Sequence, residues 1–113
     1  MRKTDKKREK AIVTALNKAC NVLLDKNLGF RWLTHFIDYD NCPESLSIVC
    51  IFDTNQDLTK TNKNMVVAIV CEQLAHLDIK RRMVENSIRF DTEENCQQEN
   101  NGNWSERLHS VRF

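Results

Sequence analysis

The stretch FRWLTHFIDYDNCPESLSIVCIF, residues 30–52, decides the fold. Phe30 to Tyr39 is dense in aromatic and branched residues, which suit a pleated backbone. Alternation puts Phe30, Trp32, Thr34 and Phe36 on one face, with Leu33, Ile37 and Tyr39 on the other. Asn41, Cys42, Pro43 and Glu44 supply a turn. Leu46 to Phe52 is a second strand, with Leu46, Ile48, Cys50 and Phe52 on one face and Val49 and Ile51 on the other. So short a connection makes the pair an antiparallel hairpin. Because both faces are apolar, both need cover.

Working upstream, Ile12, Val13, Leu16, Ala19, Cys20, Leu23 and Leu24 recur in steps of three and four, which predicts a helix from Asp5 to about Lys26. Thr4 or Asp5 can cap its start, and Asn27 to Gly29 tolerate the positive φ that ends it. The first two turns lack apolar residues, so they should project from the body. Downstream, residues 55–64 are polar and read as a loop. Met65 to Cys71 is β-branched, yet Val66, Val70, Leu74 and Leu77 keep helical spacing. A helix from Met65 is expected, closed by Lys80, Arg81 and Arg82, whose charge suits a helix C-terminus. Ser87 to Asp91 forms a third strand, and Trp104 and Leu108, four apart, suggest one helical turn docked on the body.

The order is α-β-β-α-β. Strand–helix–strand crossovers are right-handed, so the third strand should lie parallel to the second. This predicts an α+β, two-layer domain spanning residues 1–113, with a three-stranded mixed sheet and two helices on one face. Residues 1–10 extend the first helix, and 93–113 form a polar segment docked by Trp104. The uncovered apolar face invites a second copy, so a homodimer is one expectation.

Composition agrees. Leu, Ile, Val and Phe supply 30 of 113 residues, enough for a core, while two Gly and one Pro are too few for a many-stranded sandwich or barrel. No apolar run reaches the roughly 18 residues of a membrane span, and no cleavable leader pattern opens the chain, so a cytosolic protein without a membrane partner is expected. Five cysteines, an odd number with no C-x-x-C pair, read as reduced thiols.

The net charge of +1 hides an asymmetry. Arg2, Lys3, Lys6, Lys7, Arg8 and Lys10 face only Asp5 and Glu9, giving +4 for residues 1–10 and −3 for the rest. Six cations over about three helical turns can neutralise several phosphates, which points to DNA, RNA or a nucleic-acid-associated protein as partner. Arg31 and the Lys80–Arg82 triplet are candidates to extend that patch. The strand–strand–helix–strand order is similar to small RNA-binding folds of the KH kind, without their G-x-x-G clamp.

Phe-Asp-Thr occurs at residues 52–54 and again at 90–92, each time at a strand end. On parallel neighbours, Asp53 and Asp91 would lie side by side with Glu93 following. Such a cluster would hold Mg²⁺ for phosphodiester hydrolysis. The competing reading is helix capping by the threonines. The three histidines show no zinc spacing, and with glycines only at 29 and 102 no phosphate-cradling loop exists. No cofactor is expected.

The strings Trp32-Leu33-Thr34-His35, Tyr39-Asp40-Asn41, Val49 to Thr54, Phe90-Asp91-Thr92-Glu93-Glu94-Asn95-Cys96 and Asn101 to Trp104 with Glu106-Arg107-Leu108 resemble a family of short bacterial proteins designated Fis family transcriptional regulators. The resemblance spans roughly residues 2–108. It implies a small cytosolic bacterial regulator in which Gly102 and Trp104 belong to the fold. With the basic start, the expectation is a non-enzymatic binding or regulatory module. The Mg²⁺-dependent phosphodiesterase and a dimerising interaction module are the alternatives.

Overall fold

A computed structural model describes residues 3–41 and 44–109. Cys42 and Pro43 of the expected turn, and Arg2 of the basic start, lie outside the described residues. The first helix, α1, runs Lys3–Asp25 and buries Ile12, Leu16, Ala19 and Leu23 of the expected stripe together with Ala15, while Val13 and Leu24, expected on that face, are exposed. Asn27 at φ 54° and Gly29 at φ 80° reverse the chain after it.

β1 (Phe30–Phe36) and β2 (Ser47–Phe52) pair antiparallel, and β2 pairs parallel with β3 (Ile88–Thr92), giving the order β1-β2-β3. The α+β class, the mixed sheet and the parallel crossover are therefore as expected. One face assignment is not. The register passes from Phe30↔Phe52 to Trp32↔Ile51, leaving Arg31 as an extra residue. Such a bulge reverses the alternation locally. Phe30 thus joins Leu33 on the helical side, edge-on to Phe52 at 5.6 Å, while Trp32 and Phe36 stay on the other face.

The crossover holds three helices where one was expected: α2 (Asn55–Lys60), α3 (Lys63–Leu74) and α4 (Arg81–Ser87). The polar residues 55–64 form α2 and the start of α3 rather than a loop because capping residues occur in series. Thr54 Oγ1 accepts from Asp57 N at 3.0 Å, and Asn62 Oδ1 accepts from Met65 N at 3.2 Å. The long helix stops at Leu74, since Leu77 and Ile79, two apart, both turn towards the core, which a continuous helix cannot do. Lys80–Arg82 accordingly start a helix instead of closing one, against the helix dipole. Arg81 is compensated by Glu85 four residues on, at 2.9 Å.

α1 and α3, joined by Val84 of α4, cover one face of the sheet around Ile48, Cys50 and Phe52. The other face is not left for a second copy. α5 (Glu93–Asn100) is a helix not foreseen in the polar tail, and α6 (Trp104–His109) follows the turn at Asn101 and Gly102. Trp104 and Leu108 pack on Val49, Ile51, Trp32 and Phe36, so the chain covers this face itself. Val49 and Ile51 are almost completely buried there, each contributing roughly 1.5–3 kcal/mol of burial free energy.

Candidate nucleic-acid interface

Lys3, Lys6, Lys7 and Lys10 stand at i, i+3, i+4 and i+7, one face of α1. These four and Arg8 are all exposed. The acids of the same stretch point the other way. Asp5 is only 6% exposed, and Glu9 accepts a hydrogen bond from the Tyr39 hydroxyl and lies 3.2 Å from His35 Nε2. The start of α1 therefore does not project freely. Glu9 ties it to the body through Tyr39 and His35, and Asp5 is buried, while the cations stay exposed.

Next to them lies a cleft of about 500 Å³, formed where Thr4, Lys7, Arg8, Ala11 and Ile12 face Leu77, Asp78 and Ile79. Lys80 follows directly in sequence and, with Arg82, lines a second depression of about 350 Å³ against Glu44 and Leu46. The Lys80–Arg82 triplet is thus adjacent to the basic face. Arg31 is not, because it sits at the opposite end of β1 from His35, about 13 Å along the strand.

The second set of candidates, Asp53, Asp91 and Glu93, lies at the far end of the sheet, where β2 and β3 finish. Among the described residues, no group of three or more His, Cys, Asp or Glu is placed to hold a metal ion. Two of the three carboxylates have other partners. Asp91 receives two hydrogen bonds from the Arg107 guanidinium, Nε at 2.6 Å and Nη2 at 3.0 Å. Arg107 also reaches Glu99 and, at 3.0 Å, Asn100 Oδ1. The bond to Asp91, reinforced by that to Glu99, holds the guanidinium pKa above its ordinary value, against the effect of burial.

Glu93 accepts from Trp32 Nε1 at 2.7 Å and from Trp104 Nε1 at 3.0 Å, the two indoles meeting edge-on with centroids 5.1 Å apart. Asp53 is bound through its backbone, its N–H to Gly29 O at 2.8 Å and its carbonyl to Glu94 N at 3.1 Å.

The twin Phe-Asp-Thr motifs therefore cap helices. Thr54 caps α2, and Thr92 caps α5 by accepting from Asn95 N at 3.0 Å. The two caps interlock, since Thr92 Oγ1 donates to Asn55 Oδ1 at 2.7 Å and Asn55 N donates to Glu94 Oε1 at 2.8 Å. Arg107 was missing from the expected site residues. The only signal for it is that a single arginine follows the five acids of residues 91–106.

Cys20, Cys50, Cys71 and Cys96 are free thiols. Burial pushes the Cys50 thiol up from its ordinary 9.0 to about 12, with Cys20 adding to the shift. Folded Cys50 thus keeps its proton where the unfolded chain has lost it, so the unfolded state binds fewer protons between about pH 9 and 12 and stability falls there. Urea midpoints of the native protein are expected to decline more steeply across that window than those of Cys50→Ala. Parallel curves would contradict the shift.

No family model, curated protein or solved structure matches this chain. Among the described residues, no helix is long and apolar enough to cross a membrane.

Proposed function

We propose that the protein is a nucleic-acid-binding module that holds phosphates on the exposed face of α1, through Lys3, Lys6, Lys7, Arg8 and Lys10. One observation carries this reading: every described cation of that stretch is exposed, while Asp5 is buried and Glu9 is bonded to Tyr39. Lys80 and Arg82, beside the cleft, extend the same field. The resemblance to bacterial regulators agrees with such a role.

Binding of this kind releases counterions, so the logarithm of affinity should fall with the logarithm of salt by about 0.9 per phosphate contacted. Substitution tests it better than truncation, because removing residues 1–10 would also remove Asp5 and Glu9. The quadruple variant Lys3→Ala, Lys6→Ala, Lys7→Ala, Lys10→Ala should keep the fold. It should lose at least about tenfold in affinity at low salt and flatten the salt slope by roughly 3. Fluorescence anisotropy with labelled DNA and RNA reads both. No binding by the native protein at low salt would refute the proposal.

A further inference from the structure

The cleft beside α1 offers more than charge. Ile12 is buried, and Ala11, Leu77 and Ile79 are half-buried, so the floor is apolar. Lys7, Arg8 and Asp78 are exposed at its mouth. Its volume of about 500 Å³ falls within the roughly 300–1,000 Å³ of small-molecule sites.

A duplex would meet Lys7 and Arg8 with phosphates but keep its base faces stacked, leaving the apolar floor unused. An unpaired nucleotide presents a phosphate, a ring face and a ring-edge amino group together. The cleft holds a complement to each: cations, aliphatic side chains and a carboxylate.

We infer that this cleft seats one unpaired nucleotide of a single-stranded nucleic acid. Lys7 and Arg8 meet its phosphate, Ala11, Leu77 and Ile79 lie under its base, and Asp78 accepts from an exocyclic amino group. The inference rests on the reading of α1 as a phosphate-binding face and narrows it to single strands.

The test uses the full chain and labelled single-stranded oligodeoxycytidine of about a dozen nucleotides, the site size of small single-strand binders. An abasic strand of equal length, oligodeoxythymidine and a duplex are the comparisons. The cytidine strand should bind about tenfold more tightly than the abasic strand or the duplex. Ala11→Phe, which fills the cleft, should bring the cytidine strand down to the abasic level. Asp78→Ala, at an exposed position, should erase the preference for cytidine over thymidine, since thymine has no exocyclic amine. Equal affinity for all native probes, or a preference that survives Ala11→Phe in a folded variant, would overturn the cleft assignment and leave the phosphate reading standing. Absence of binding to every probe would overturn both.

Discussion

Arg107→Ala is expected to lower stability by about 3 kcal/mol and to release α6 from the sheet. The guanidinium and its Asp91 partner are only 17% and 18% exposed, so the pair is well shielded from water. Removing the arginine leaves Asp91 half-buried without its two-pronged donor, and it also frees Glu99 and Asn100. Because those partners lie in β3 and α5 while Arg107 itself belongs to α6, one side chain links all three elements. Arg107→Lys should recover little, since an ammonium cannot make the paired contact to both Asp91 oxygens. Urea denaturation gives the loss, and hydrogen exchange at α6 amides locates it. A midpoint within about 0.5 kcal/mol of the native value would mean that the network adds nothing net.

Gly29→Ala is expected to cost a similar amount for a different reason. Gly29 has φ 80°, where an L side chain is strained by about 1 kcal/mol. A Cβ there would also lie 2.3 Å from Asp57 Oδ2 and 2.7 Å from Asp57 Cβ. The nearer atom could swing away, but the Cβ is fixed to the first turn of α2, so that turn must shift, costing roughly a further 1–3 kcal/mol. Combining Gly29→Ala with Asp57→Gly removes the collision and keeps the dihedral strain. The double variant should therefore recover the larger share of the loss, read as a coupling energy in a double-mutant cycle. Simple addition of the two single effects would argue against the close approach.

Residues that act on near neighbours in sequence were legible before the structure. The α1 stripe, the hairpin and the parallel β3 follow from spacing and crossover handedness. Capping by Thr54 and Thr92 was legible in the repeated Phe-Asp-Thr motif. Two kinds of feature were hidden. The short helices that follow those caps, and the cap at Asn62, are built from polar residues that composition alone assigns to loops. Long-range pairings leave no periodic trace: Trp32 meets Glu93 across 61 residues, and Asp91 meets Arg107 across 16. The metal site stays an alternative on sequence alone because nothing local shows that tryptophans and an arginine already hold two of the strand-end carboxylates. The basic face was visible as composition. That Glu9 is drawn inwards depends on His35 and Tyr39, which approach α1 only in the folded chain.

The Glu93 cluster gives the molecule an optical asymmetry. Its two indoles, Trp32 and Trp104, are the only ones in the chain, and both lie on the outer face of the sheet. Near-ultraviolet emission therefore originates on one side of the β-layer, beside a carboxylate that both rings share. Far-ultraviolet dichroism is weighted instead towards the 23-residue α1 on the opposite side. The two signals watch different halves of one small domain. Whether they melt together or apart is a direct measure of how tightly the sheet couples its inner layer to its outer one.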